Sequence, residues 1–291
     1  MRNVSCDLFW GPAHRLPFGL NPKIKMVVTC HDLVCFNHGN TMPLKNFISD
    51  RIQLPIAMKK AHKIHAVSQN TLSEICKTFP RLEKKVFSTL PQKQTMPDFI
   101  ASQVATPNKW GAYGLFVGTF EPRKNIYELI DAYNLMCEAS GEDPGLVIAG
   151  KFGWGGINPK AKISSLATKR NIEVVYAPSD IELELLYQNC RFLINPSIYE
   201  GLGLPVIEAK RFNKPCIVSP GSLIEVADEH SIVINPHDKL DIANAMAKYF
   251  FDKRTYDKAF REACLSPARF TWHKNTKILM EQFYSLTRQT T

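Results

Sequence analysis

No stretch of this 291-residue sequence approaches the ~18–20 consecutive apolar residues that a membrane-spanning helix requires. The longest candidate, Met26-Val-Val-Thr-Cys30, is only strand-length. The opening Met1–Asp7 has no apolar core of the kind a secretory signal carries, which points to a cytoplasmic chain. Eight cysteines, at 6, 30, 35, 76, 137, 190, 216 and 264, form no C-x-x-C pair, and several sit inside apolar runs, as reduced buried thiols do. G-x-G-x-x-G is missing too, which removes the main argument for a dehydrogenase. One G-x-x-x-x-G-K match, Gly145–Lys151, fails on two counts. Phe152 stands where a magnesium-binding Ser or Thr is required, and Leu146–Ala149 reads as the strand itself. Acidic residues are scarce at the start: the first 110 residues hold 15 Lys and Arg against 6 Asp and Glu, whereas the remainder holds 21 of each. The formal charge of +9 therefore lies entirely in the first third.

What remains is an ordinary globular composition, 45% hydrophobic and 22% charged, of a length that suits two domains. Short apolar runs alternate with helical periodicity, the pattern of an α/β protein with parallel sheets. In the first third, strands are predicted at 8–10, 25–30, 64–67 and 85–88. A helix is predicted over 44–60, its apolar stripe at 44, 47, 48, 52 and 56 interrupted by Pro55. Another, 71–79, is capped by Ser68. Residues 91–111, rich in Pro, Gln, Thr and Ser, read as an interdomain linker. Beyond it, strands at 113–118, 145–149, 173–176, 191–195, 215–219 and 231–234 alternate with helices near 125–139, 159–170, 180–188, 205–212, 222–227 and 238–252. That is a complete doubly wound domain over 111–271, followed by an amphipathic helix, 272–291. The first domain, 1–110, has only half the strands of such a sheet and no opening βα unit with a glycine turn.

Three segments carry chemistry. Tyr199-Glu-Gly-Leu-Gly-Leu-Pro-Val-Ile-Glu-Ala209 follows a strand and opens a helix with Pro205 near its start. Gly201 and Gly203 allow close backbone approach, and a helix N-terminus with a glycine approach is an anion site. Glu200 and Glu208 flank it and can accept hydrogen bonds from hydroxyls, so the segment suits a polyhydroxylated ligand carrying a phosphate. The bland alternative is a capped loop with solvated glutamates. Phe116–Asn125 also joins a strand to a helix. Arg123 and Lys124 beside the Gly118 turn can clamp a diphosphate, whereas an Arg-Lys pair alone is usually a solvated surface. Cys30-His31-Asp32 ends a strand, where His31 either lines a cleft and bonds a sugar hydroxyl or is a structural histidine held by Asp32. Cys30, His31, Cys35 and His38 match no common zinc-ligand spacing.

These segments, with "AVSQNT" at 66–71, "LVIAGKFGWGG" at 146–156, "SPGSLIEVA" at 219–227 and "FTWHKNT" at 270–276, resemble family 4 glycosyltransferases. Within that family they look most like bacterial polysaccharide mannosyltransferases. The resemblance implies a GT-B fold, two Rossmann-like domains facing a cleft, and a retaining transfer without a metal or other cofactor. It also implies roles. Arg123, Lys124 and Gly118 bind the donor diphosphate, and Glu208 bonds the ribose. Glu200 with the backbone of Gly201, Leu202, Gly203 and Leu204 holds sugar and phosphate, and His31 reaches the sugar. Tyr176 and Pro178 contact the base, and the last helix crosses back to the first domain. The donor implied is GDP-mannose, with a UDP-sugar as the other choice, and the acceptor a lipid-linked saccharide of bacterial surface polysaccharide synthesis. No nucleic-acid partner is expected. The resemblance begins mid-domain, at "CDLFWGPAHRLPF", and "STLPQKQTMP" replaces the usual glycine-containing turn. An incomplete first domain, and hence a sugar-nucleotide-binding remnant or one half of a split enzyme, is the alternative. The +9 acceptor half suits a peripheral position at an anionic membrane face, with Lys59, Lys60, His62 and Lys63 as contacts; a merely solvated basic face is the competing reading.

Overall fold

The computed structural model of the chain describes residues 6–17, 19–89, 111–227, 229–265 and 272–288. The proposed linker lies outside these, apart from Gly111. Contacts divide the chain into two units, one formed by Met1–Gln94 with Phe270–Thr291, the other by Thr95–Arg269.

The first unit is built on four parallel strands in the order β1 (Leu8–Gly11), β2 (Lys25–Cys30), β3 (Lys63–Ala66) and β4 (Val86–Ser88). Three helices join them: α1 (Val34–Asn37), α2 (Leu44–Lys60) and α3 (Gln69–Thr78). Val28, Cys30, Ile64 and Ala66 from the strands pack with Leu54, Ala57, Met58 and Ile75 from α2 and α3 into one core. Ser68 starts α3 by accepting from the Thr71 amide at 3.0 Å, which satisfies an otherwise unpaired helix donor. One sequence expectation about α2 needs correction: Pro55 does not interrupt it, since the helix runs unbroken through all 17 residues. Of its apolar stripe, Phe47 packs against the core while Leu44, Ile48, Ile52 and Ile56 are exposed, and Leu54, Ala57 and Met58 are the buried positions. The sequence carries apolar residues on both sides of this helix, so periodicity alone could not say which side packs.

The second unit is a six-stranded parallel sheet in the order β10-β9-β8-β5-β6-β7, made of β5 (Gly114–Val117), β6 (Leu146–Gly150), β7 (Ile172–Tyr176), β8 (Phe192–Asn195), β9 (Cys216–Val218) and β10 (Ile232–Val233). One face is covered by α4 (Ile126–Ser140), α5 (Pro159–Ser164), α9 (Lys239–Phe251) and α10 (Lys253–Leu265), through Ile126, Tyr133, Ile242, Tyr249 and Ala259. The other is covered by α6 (Asp180–Asn189), α7 (Leu204–Arg211) and α8 (Ser222–Val226), through Leu186, Val206, Ala209 and Leu223. Two departures from the sequence reading have local causes. Helix α5 stops at Ser164, short of the expected 170, where Ser164 and Ser165 hydroxyls bond the carbonyls of Lys160 and Lys162 in place of a further turn. Helix α10, absent from that reading, begins where Asp252 accepts from the Thr255 amide at 3.1 Å and buries Ala259 and Ala263. Helix α11 (Trp272–Thr287) groups with the first unit, where the Phe283 ring lies tilted against Trp10 of β1, centroids 5.7 Å apart.

Strand order in the second sheet reverses at β5, which has β6 on one side and β8 on the other. In doubly wound sheets ligands bind beyond the carboxyl ends of the strands at such a reversal. The loops leaving β5 and β8 are the two segments that carry Arg123-Lys124 and Glu200.

Candidate functional site

Beyond β5 the chain passes Gly118 and enters a 3-10 turn, Pro122–Lys124. Asn125 then takes a left-handed conformation (φ 62°), tolerable for Asn, and its side chain donates to the Pro236 carbonyl at 2.6 Å. That reversal starts α4 immediately behind the two basic residues. Beyond β8, Asn195 accepts from the Ser197 amide and hydroxyl, at 3.3 and 2.5 Å. Its buried Nδ2 has no partner among the described residues. The two loops are tied together by the Ile198 amide, which donates to the Arg123 carbonyl at 2.8 Å.

Arg123, Lys124 and Glu200 meet at this junction. The Arg123 Nη1 donates to Glu200 Oε2 at 3.1 Å and to the Tyr199 carbonyl at 3.0 Å, while its Nε contacts Glu121 Oε1 at 2.7 Å. Lys124 Nζ donates to Glu200 Oε1, which also accepts from the Ser197 hydroxyl at 2.9 Å. The Glu200 side chain is only 8% exposed. Burial alone disfavours its charged form, but Lys124, Arg123 and the hydrogen bonds outweigh it and hold the carboxyl below the usual range. Both cations are thus fixed in place by carboxylates. Lys in particular, with a flexible four-carbon stem, gains an orientation it would lack alone.

Next to this network stands the α7 N-terminus. Gly203 caps it at φ 92°, and a Cβ there would come within 2.3 Å of Leu223 Cδ2, so both the backbone and the space demand glycine. Gly201 is buried, Leu202 half-buried and Leu204 exposed. The Ser222 hydroxyl donates to the Glu200 carbonyl at 2.6 Å, bracing the loop from α8. One turn inside α7, half-buried Glu208 accepts from the Tyr187 hydroxyl of α6 at 2.6 Å. Gly118 lies close to the end of β6: a Cβ on Gly150 would come within 1.9 Å of the Gly118 carbonyl oxygen, so the two strand exits touch through bare backbone. Tyr176, half exposed at the end of β7, lies 4.7 Å from the exposed Phe152 ring, and both approach Phe120. Ala177 follows at φ 47°, and Pro178 is half-buried.

His31 belongs to the first unit, at the end of β2. Its amide donates to His14 Nε2 at 2.8 Å, and its own Nε2 pairs with the Pro12 carbonyl at 2.8 Å. Asp32 is not its holder: the Asp32 carboxylate accepts from the Val34 amide at 3.2 Å. Burial, reinforced by His31, lowers the pKa of His14 despite the neighbouring Asp32 and Asp50.

Sequence reasoning singled out Arg123, Lys124, Glu200, Glu208 and the glycines. It missed Glu121, Ser197 and Tyr187, which hold them, and His14, which accepts from the amide of the predicted His31. Glu121 was within reach, since a carboxylate two residues before an arginine invites pairing. Tyr187 and His14 lie on other elements, and no spacing announces them.

The profile of the glycosyl transferases group 1 matches residues 101–264, more than half of the chain, which belongs to that family. Among curated relatives, the serotype-specific mannosyltransferase WbdA of Escherichia coli is 27% identical over 94% of this chain and 34% of its own length. The O-antigen chain mannosyltransferase B of the same organism is 26% identical over 95% of this chain and 74% of its own length. The chain thus spans about a third of WbdA. Solved structures similar in fold include Anabaena HepE in complex with UDP and glucose, with a TM-score of 0.66, 15% identity, and 90% of this chain against 72% of that one. Sucrose-phosphate synthase of Thermosynechococcus elongatus gives 0.67 at 19% identity, over 92% and 69%. The fold is that of the GT-B glycosyltransferases. No helix among the described residues is long and apolar enough to cross a membrane.

Proposed function

We propose that the chain is a retaining mannosyltransferase that takes mannose from GDP-mannose and delivers it to a lipid-linked saccharide in bacterial surface polysaccharide synthesis. The observation that carries this reading is the junction at the β5/β8 reversal, where Arg123 and Lys124 are fixed by Glu200 beside a glycine-capped helix N-terminus. Such a site suits a diphosphate. Two oriented cations and the positive helix end meet the charge that develops on the leaving nucleoside diphosphate, so no metal cofactor is required. Glu208, oriented by Tyr187, accepts from the ribose hydroxyls, and Glu200 with Gly201–Leu204 cradles the sugar and phosphate. Tyr176 and Pro178 border the base. His31, ring and amide both anchored, contacts the sugar. The mannosyl assignment rests on the names of the relatives, WbdA and mannosyltransferase B.

The test is transfer of labelled mannose from GDP-mannose to a polyprenyl-diphosphate-linked saccharide by the full chain. The expected product is an α-mannoside whose formation survives chelation of divalent metals. A β-anomer would overturn the retaining assignment, and turnover of UDP-sugars alone would overturn the donor. Binding of GDP-mannose with no transfer to any acceptor would leave the sugar-nucleotide-binding remnant.

A further inference from the structure

The loop that follows β1 lies against the end of β2 and holds His31 at two points. Strands β1 and β2 pair in parallel with Gly11 opposite Val28, so the residues leaving one run beside those leaving the other. Gly11 is buried, and a Cβ on it would come within 2.6 Å of the Arg15 carbonyl oxygen, so the chain folds back over bare backbone directly after the strand. Arg15 fastens the far end of this loop to α2, donating from Nη2 to Ser49 Oγ and Asp50 Oδ1, both at 3.2 Å. The fold brings the Pro12 carbonyl to His31 Nε2 and the His14 Nε2 to the His31 amide, each at 2.8 Å. The two histidine rings lie with centroids 5.5 Å apart.

These contacts fix which ring atoms carry protons. A carbonyl only accepts, so neutral His31 carries its hydrogen on Nε2 and keeps a lone pair on Nδ1. His31 is exposed, and among the described residues its Nδ1 has no hydrogen-bond partner. An amide only donates, so His14 Nε2 must be unprotonated to receive it. Burial keeps it so, helped by His31 and Arg15 against the opposing pull of Asp32 and Asp50. Asp32, the sequence neighbour best suited to orient His31, is instead engaged by the Val34 amide.

We propose that His14 is a positioning residue: it grips the amide of His31 and thereby presents Nδ1 of that histidine as the acceptor for a substrate hydroxyl. The proposal rests on the proposed function in one respect, that the hydroxyl belongs to the donor sugar. A half-buried, uncharged acceptor suits the task, whereas a carboxylate at position 14 would add a third negative charge beside Asp32 and Asp50. Pro12 and His14 belong to one loop, so the same short segment sets both the ring and the backbone of His31, and a shift of that loop moves both.

Two variants of the full chain separate positioning from mere support of the loop. His14→Ala removes the acceptor, and His14→Gln keeps one, since its side-chain oxygen can take the amide hydrogen. His14→Ala should lower kcat/KM for GDP-mannose about tenfold, as small misplacements of a contacting group do, and His14→Gln should stay within about threefold of the parent. Adding His14→Ala to His31→Ala should cost little further, because the first acts only through the second. Nitrogen NMR spectra of the histidine rings read the same device without turnover. The parent should show His31 in the Nε2–H form, His14→Ala a mixture of forms, and His14→Gln the parent form again. A parent His31 protonated on Nδ1 alone overturns the inference. So do losses that add in the double variant, or a His14→Ala protein that matches the parent in both spectrum and transfer. An unfolded His14→Ala passes the decision to the parent spectrum and to His14→Gln, which must keep the Nε2–H form. A parent that transfers no mannose overturns the proposed function, and the ring spectra then decide the role of His14 by the same criterion.

Discussion

Glu200 is a carboxylate that burial would neutralise and two cations keep charged. Its loss therefore acts on its neighbours more than on itself. Glu200→Ala leaves Lys124, 10% exposed, and Arg123, 15% exposed, without their shared carboxylate. Removing one partner of a buried pair costs about 3–5 kcal/mol, because a charge is left uncompensated. The variant should unfold at lower urea than the parent by that margin, and an unchanged midpoint would show the pair to be solvated. Arg123 and Lys124, consecutive in the 3-10 turn, each reach a different oxygen of this one carboxylate.

At the scale of elements, the start of α7 is the most constrained feature of the site. Gly203 combines φ 92° with a would-be Cβ 2.3 Å from the buried Leu223. Gly203→Ala should cost about 2–3 kcal/mol from backbone strain and overpacking, read as a lowered unfolding midpoint. It should also weaken donor binding, because the amides at the helix start would turn. This element was legible from Gly-x-Gly-x-Pro following an apolar strand, since only glycine and proline chemistry produces that turn. The strands were legible for the same local reason. The length of α5, the existence of α10 and the buried side of α2 were not. Each depends on a competition that a window of sequence does not display: serine hydroxyls against helix carbonyls, a cap at Asp252, and apolar residues on both faces of one helix. Tyr187 was hidden because it reaches Glu208 from a different helix, and the Lys124–Glu200 pair because β5 and β8 become neighbours only when the sheet forms, bringing the two together across 76 residues.

For the whole molecule, two units with separate cores carry separate titrations. In the first, His65 of β3 is buried between the hydroxyls of Thr29 and Thr89, at 3.2 and 2.9 Å, and stacks on Phe87. Burial, aided by His31, lowers its pKa to about 4. The unfolded chain binds this proton at its ordinary value of ~6.5 and the folded unit only near 4, so stability is full above pH 6.5 and is lost as pH falls toward 4. That loss amounts to about 3 kcal/mol. Glu200, in the second unit, works at lower pH. Its lowered folded pKa contributes stability above the ordinary carboxylate value, which is lost only as pH drops through the folded one. Acid unfolding should accordingly proceed in two stages, the first unit before the second, and His65→Gln should reduce the pH dependence of the first between 6.5 and 4, with His14 and His62, whose pKa values burial also lowers, retaining the rest. Chemical-denaturant unfolding at stepped pH, followed by hydrogen exchange in each unit, checks this. Loss of both units in one transition at one pH would contradict it.

A nucleotide-sugar held between the Glu200–Glu208 segment and the Arg123-Lys124 turn is detected most directly by isothermal titration. The full chain should bind GDP-mannose at one site. Glu208→Ala should bind at least tenfold more weakly, with stability lowered by about 1–3 kcal/mol because the buried Tyr187 hydroxyl loses its acceptor, while the chain stays folded. Equal affinity in the variant, or no heat from either GDP- or UDP-sugars with the parent, would contradict the account.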